Sequence, residues 1–364
     1  MSQPNIPGLN TIYFNITERC NLKCLHCWLG AEYSNTTVAL GKELSVRELK
    51  EPIREAMELG LSSVKFTGGE PFLRKDILDF VNYFAELKLA LSFETNATLL
   101  NEDIVRNLPR HAITGIAVSL DSSEARSHDR LRGIEGSFLK ASAGIKLLLK
   151  YNLPVQVIFS LYKGNLSKLW SAIDLLRAMG VGLIKINPLL SLGRAALLKE
   201  EEFLSIQELI NLERRIEDRH YPDIEVFLDL PLAFKSTRYF FNTRRNSRCA
   251  INHLLGILSD GTVSICGIGL GHTDLVMGNI RTDSLKYIWE NSPVLKQLRC
   301  AIPEKLEGVC KRCILKNYCL GCCPADTYAR GRSFTGAYQF CARAFEEGLF
   351  PETRLLKENA AIIA

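Results

Sequence analysis

Three cysteines crowd into one short stretch, CNLKCLHC, where Cys20, Cys24 and Cys27 follow directly on the apolar run TIYFNIT. On so short a loop each thiolate needs only a few residues of slack to reach a neighbouring iron, so the three can hold three corners of a cubane cluster. The fourth iron is then left without a protein ligand. An open iron points to chemistry, because a purely structural metal site closes its coordination shell. A three-cysteine zinc loop and three core thiols are the alternatives that the same spacing permits. The run before the cysteines reads as a strand, which places the loop at a strand end.

The remaining cysteines agree with a metal reading. Of 12 in 364 residues, three stand near the start, none follows for more than two hundred residues, and nine lie between Cys249 and Cys341. A secreted disulfide protein would spread them more evenly behind a signal peptide. The polar start MSQPNIPGLN has no signal-peptide pattern, and no apolar run approaches membrane-spanning length, so a cytoplasmic protein without membrane contact is expected. The length suits a large core and two domains, divided here as residues 1–235, 236–350 and a tail 351–364. Net charge is +5, made of −1 over residues 1–235 and +6 over residues 236–364. The run Arg244, Arg245 and Arg248 invites a nucleic-acid reading, but no recognised motif accompanies it, and arginines beside an anionic four-thiolate cluster have a local electrostatic use. No nucleic-acid partner is expected.

From residue 12 to about 188, the runs TIYFNI, SSVKFT, LSFETN, ITGIAVSL, PVQVIFSL and GLIKINP alternate with helical patterns. Such alternation predicts βαβ units and a parallel sheet, hence an α/β fold. Ser45 with Glu48 predicts a capping box and Gly60 the end of that helix, although Pro52 fits awkwardly inside it; Asp76 and Ser167 are read as starts of later helices. Six strands predict an open, partial (β/α)6 TIM-like barrel with its chemistry at the strand C-terminal ends. After the helical stretch EEFLSIQELINLERRIED, a stretch containing Pro222 and Pro231 reads as a linker, and GILSDGTVSICGIG reads as a hairpin turning at Asp260 and Gly261. The cysteine-rich stretch 300–345 has little periodicity, as expected where metal replaces an apolar core.

The CxxxCxxC loop, with His26 before its last cysteine and Trp28 after it, resembles the radical S-adenosylmethionine superfamily. Thr67-Gly68-Gly69-Glu70-Pro71 after the second strand is similar to the family's GGE element, and the resemblance implies that Glu70 and its glycines contact the amino group of S-adenosylmethionine. It implies further cofactor contacts at His26, at Asn96, at Ser119 and Asp121 near the ribose, at Arg132 in HDRLRG for the carboxylate, and at Leu189 for the adenine. Arg130 is a rival to Arg132, and capping or a solvated surface would explain these polar residues equally.

Downstream, Cys249, Cys266, Cys310, Cys313, Cys319, Cys323 and Cys341 resemble the seven-cysteine pattern of the SPASM domain, which carries two auxiliary 4Fe-4S clusters. The ligation this implies is Cys249, Cys266 and Cys323 for one cluster, and Cys310, Cys313, Cys319 and Cys341 for the other. The first lacks a fourth thiolate, because the upstream region where some members place one reads Phe241-Asn242-Thr243. Cys300, Cys322, a non-cysteine group or an open iron would complete it, and Cys322 beside Cys323 leaves the register unsettled. A zinc ribbon at Cys310 and Cys313 is the competing reading.

The resemblance implies three 4Fe-4S clusters, reductive cleavage of S-adenosylmethionine by a radical SAM oxidoreductase, and a low-potential electron donor of flavodoxin or ferredoxin type. The leading expectation for the substrate is a ribosomally made peptide or protein, cross-linked or given a thioether. No leader-binding region precedes the barrel pattern, so a separate leader-peptide recognition protein is expected. Formylglycine formation ranks lower, since Gly267 follows Cys266 where those maturases have Asp, and Asp274 is a distant stand-in. A small-molecule oxidation, of a tetrapyrrole or sugar, and a non-catalytic zinc or iron-sulfur interaction protein complete the field.

Overall fold

The β-branched and aromatic runs form the strands expected of them. In the computed structural model, which describes residues 6–34, 43–242, 249–267 and 272–357, they are β1 (Thr11–Thr17), β2 (Ser63–Gly68), β3 (Ala90–Thr95), β4 (Ile113–Ser119), β5 (Val155–Leu161) and β6 (Leu183–Pro188). Each pairs in parallel with the next. The intervening helices include α1 (Val46–Glu58), α2 (Ile77–Glu86), α3 (Ala125–Arg132), α4 (Ser137–Lys150), α5 (Leu169–Ala178) and α6 (Ile206–Asp218). The Arg244, Arg245 and Arg248 run and Thr243 lie outside the described residues.

Two further parallel strands widen the sheet. β7 (Glu225–Leu228) adds to β6, within the stretch read as a linker; four residues between prolines are too few to show a period. On the opposite side, β8 (Leu254–Ile257) pairs in parallel with β1, so the sheet crosses the division expected at residue 235. β8 turns through Asp260 and Gly261 into β9 (Thr262–Ser264), which pairs with β10 (Gly278–Asn279). The order is β10-β9-β8-β1-β2-β3-β4-β5-β6-β7, with no pairing between its two ends among the described residues, so the barrel is open.

Helix boundaries depart from the expectation in two places. α1 has its Ser45 capping box and runs through a buried Pro52 to Leu59, where Gly60 turns out at φ +104°. Asp76 does precede α2 but gives its carboxylate to Arg74 instead of capping, because Arg74 is buried and needs an anion. α5 begins two residues after Ser167, which closes a short preceding turn, Lys163–Leu166.

The sheet's outer face is apolar and its inner face is not. Ile12, Phe14 and Ile16 of β1 and Val64 and Phe66 of β2 lie under the helices at 0–1% exposure, with Phe66 stacked on Phe93 at 4.9 Å and edge-on to Phe84 at 5.6 Å. The alternate residues turn inward. There Lys65 pairs with Glu94 at 2.7 Å, Thr67 donates to the same carboxylate, and Lys185 pairs with Asp229 at 2.7 Å. A polar lumen rejects close apolar filling and leaves room for a ligand.

Removing the ring at the centre of the aromatic cluster tests this packing. Phe66→Ala should cost about 3–5 kcal/mol by lost transfer energy plus the cavity left behind, read as a lowered midpoint in urea unfolding.

Candidate functional site

The cysteine loop is held by backbone approaches that only glycine allows. A Cβ on Gly69 would stand 2.0 Å from the Arg19 carbonyl oxygen, and one on Gly68, at φ +118°, would stand 2.4 Å from that of Thr17. The closeness permits the Gly69 and Glu70 amides to donate to Thr17 and Arg19 at 2.7 and 2.9 Å. On another side, the amides of Lys23 and Leu25 donate to the Arg132 and Leu131 carbonyls at the end of α3, where Gly133, at φ +72°, gives way to the Lys23 carbonyl. The segment after β6 closes the clamp. The Arg194 amide donates to Cys27 O, its Nε to Cys24 O at 3.0 Å and its Nη1 to Ala31 O. The sequence reading missed Arg194; the Gly-Arg pair beyond a strand end was its only signal.

This loop opens on a cavity of about 870 Å³ that Cys20, Cys24 and Cys27 share with Cys249, Cys266 and Cys323. His26, Gly68, Gly69, Asn96, Ser119, Arg132 and Leu189 line it too, so seven of the nine expected cofactor residues come together there. Asn96 directs Nδ2 at the Cys20 sulfur at 3.8 Å and Arg132 directs Nη1 at that of Cys24 at 3.7 Å. Arg130, the rival, is exposed. Inside the cavity wall, His26 Nδ1 and Asn187 Oδ1 are buried with no partner among the described residues, which fits a polar ligand. Burial, then the Arg132 charge, pushes His26 down to about 3, so its ring is neutral.

The other two expected residues stand behind the wall. Glu70 is buried, and its carboxylate accepts from the Phe72 amide at 3.1 Å, from Thr95 Oγ1 at 2.7 Å and from the Asn96 amide at 2.7 Å, tying the ends of β2 and β3 together. Burial raises it to about 7 against those donors. Asp121 accepts from Arg132 Nε at 2.6 Å and from the Ser160 amide at 2.8 Å, so it aims the arginine from behind. Burial opposes its charge, but the Arg132 guanidinium leads the groups that hold it below the usual carboxylate range.

The cysteines sort into three sets by the charges they would exert on one another: Cys20 with Cys24 and Cys27; Cys249 with Cys266 and Cys323; Cys310 with Cys313, Cys319 and Cys341. Burial raises Cys20 and Cys249 to about 12 and Cys310 to about 11, so these thiols lose their protons only to a metal. Among the described residues no three of His, Cys, Asp and Glu converge on a single metal-ion position. Sets of three and four thiols are donor sets that a cubane accepts, each thiolate ligating its own iron. Cys322 hydrogen-bonds Cys319 and so joins the third set, while Cys300 is exposed and outside all three.

Two family models match: the radical SAM superfamily over residues 14–180 and an iron-sulfur cluster-binding domain, SPASM, over residues 249–314. An AdoMet-dependent heme synthase of Methanosarcina barkeri is 28% identical over 348 residues, covering 93% of this chain and 96% of that protein. The antilisterial bacteriocin subtilosin biosynthesis protein AlbA of Bacillus subtilis is 27% identical over 315 residues, covering 85% of this chain and 66% of its own. Among solved structures, Streptococcus suis SuiB bound to its precursor peptide SuiA superposes with a TM-score of 0.70 at 18% identity, over 92% of this chain and 76% of that one. With the thiol loop seated at the strand ends and the later cysteines sharing its cavity, the chain carries a radical SAM domain and, C-terminal to it, a SPASM iron-sulfur domain.

Proposed function

We propose that this enzyme is an oxidoreductase that modifies a peptide or protein, in the maturation of a ribosomally made peptide by cross-link or thioether formation, using three 4Fe-4S clusters. When bound, S-adenosylmethionine and the clusters supply a 5′-deoxyadenosyl radical that takes a substrate hydrogen and a route for the electron left behind. Cys20, Cys24 and Cys27 hold the first cluster, and Asn96 and Arg132 direct N–H groups at two of its thiolates. Arg132, aimed by Asp121, takes the cofactor carboxylate, Gly68 and Gly69 offer backbone to its amino end, Ser119 serves the ribose, and Leu189 and His26 close the pocket. Glu70 acts from behind, by fixing the β2 and β3 ends. Cys249, Cys266 and Cys323 hold one auxiliary cluster, and Cys310, Cys313, Cys319 and Cys341 the other. A low-potential flavodoxin- or ferredoxin-type donor and a separate leader-peptide recognition protein complete the system.

The observation that carries the substrate choice is the charge of the cavity wall. Three arginines and four carboxylates line it, and each arginine already has an anion: Arg132 pairs with Asp121 at 2.6 Å, Arg330 with Asp326 at 2.9 Å and Arg343 with Glu347 at 3.4 Å. With Arg132 given to the cofactor carboxylate, the two arginines left on the wall each stand in an ion pair and, among the described residues, no lysine lines it, so a polyanion meets no free cation there. Desolvating several carboxylates without partners is costly, whereas a peptide with apolar side chains suits the leucine-rich remainder, Leu189, Leu190, Leu192, Leu198, Leu204 and Leu230. The role of AlbA in making a bacteriocin supports the same reading.

A tetrapyrrole is the second reading, favoured by the match to a heme synthase over nearly the full length of both chains. Anaerobically reconstituted enzyme, offered any short cysteine-containing peptide found encoded beside its gene and a propionate-bearing iron porphyrin, separates the two. Loss of a hydrogen pair from the peptide, matched by 5′-deoxyadenosine, is the expected result; decarboxylation of the porphyrin with an untouched peptide would overturn the proposal.

Wild-type enzyme should carry the iron of three cubanes and form 5′-deoxyadenosine only with reductant, while bound zinc without cleavage would point to the non-catalytic reading. Cys24→Ala should abolish cleavage, and retained activity would refute the assignment of the first cluster. Arg132→Lys keeps the charge but loses the planar fork, so cleavage should fall on the order of 10- to 100-fold, measured as initial rates of 5′-deoxyadenosine formation.

A further inference from the structure

The set Cys249, Cys266 and Cys323 is one thiolate short, and the two spare cysteines that follow β9 do not complete it. Cys300 is exposed on the helix Pro293–Ala301, and Cys322 is engaged with Cys319 in the other auxiliary set. A carboxylate is in place instead. Asp326 lies in the first turn of α7 (Pro324–Gly331), whose N-cap is Cys323 itself. Its amide donates to the Cys323 sulfur at 3.4 Å, which sets the Asp326 backbone beside that ligand. The residue is 0% exposed and lines the same cavity as Cys249, Cys266 and Cys323.

The two oxygens of Asp326 are treated differently. Oδ1 accepts from Arg330 Nε at 2.9 Å, while Oδ2 is buried with no partner among the described residues. An enclosed carboxylate oxygen with no donor is costly, so an unpaired one beside a set of metal thiolates asks for a cation. Arg330 holds Oδ1 and turns Oδ2 away as a single donor atom, the form in which a carboxylate ligates one metal centre. Oxygen is a harder ligand than thiolate, but iron accepts both.

We propose that Asp326 is the fourth protein ligand of the auxiliary cluster held by Cys249, Cys266 and Cys323, through Oδ2, with Arg330 as its positioning residue. This rests on the assignment of those three cysteines to a cluster. It closes that cluster to direct ligation by substrate, and leaves the iron beyond Cys20, Cys24 and Cys27 as the open one.

The test uses the full chain with Cys20→Ala, Cys24→Ala and Cys27→Ala, so that only the auxiliary clusters contribute to iron content and to the electron paramagnetic resonance spectrum. Cyanide added to this protein should leave the reduced spectrum unchanged. With Asp326→Ala added, one cluster should acquire an open iron and its spectrum should shift on adding cyanide. Asp326→Cys should shift the spectrum without cyanide and restore indifference to it, and Arg330→Gln should keep that indifference, which separates ligation from loss of a nearby charge. A cyanide response before any change at Asp326, or spectra indifferent to both Asp326 substitutions at full iron content, would overturn the ligand assignment. Iron content short of two clusters in the starting protein would instead overturn the cluster reading beneath it.

Discussion

Backbone-to-backbone contact around the cysteine loop is the constraint on which the rest depends. The loop makes no regular element beyond a two-residue pairing of Arg19–Cys20 with Glu32–Tyr33, so its shape comes from what presses on it. Gly68 and Gly69 from β2, Gly133 after α3 and Gly193 after β6 each bring backbone within a distance that a Cβ would violate. Three segments far apart in the chain therefore agree on one loop conformation. Side chains add direction: Asn96 and Arg132 at the sulfurs, and Arg194 across the loop's carbonyls. Clusters need their thiolates preset, because a flexible loop would spend binding energy on ordering itself.

A second consequence follows from the sheet. β8 sits beside β1 and the hairpin it begins carries Cys266 at its far end, so the C-terminal cysteines share a cavity with the first loop. Tyr13, on the inner face of β1, registers both Cys249 and Cys266 among the charges acting on it, with burial as the larger cause of its raised value. The paired charges of the lumen, Lys65 with Glu94 and Lys185 with Asp229, keep that inner face polar without a net surplus of either sign.

Much of the fold was legible because its signals are local. Six β-branched runs, the Asp260-Gly261 turn and the Ser45 capping box each declare themselves within a few residues. β7 was not legible, being four residues between prolines, and neither was the partnership of β8 with β1 across more than two hundred residues. At the site, the types and spacings of the cysteines and of Gly68, Gly69, Asn96, Ser119 and Arg132 were readable, since each belongs to a short motif. The positions of Glu70 and Asp121 behind the wall were not. A carboxylate in a motif looks the same whether it meets a ligand or three protein donors.

The sequence by itself determined the chemistry available to this protein: twelve thiols in two separated groups, a glycine-rich element after the second strand, and an alternation that can only bury its apolar face as a parallel sheet. Tertiary structure decided how those thiols divide, which of the two arginines in HDRLRG faces inward, and that Asp326 ends in a closed space with one oxygen unpaired. The division has a plain physical basis. Spacing along a chain limits which groups can reach a common point, but burial and the donors already spent on neighbours are properties of the packed whole, and they decide which groups remain free to bind.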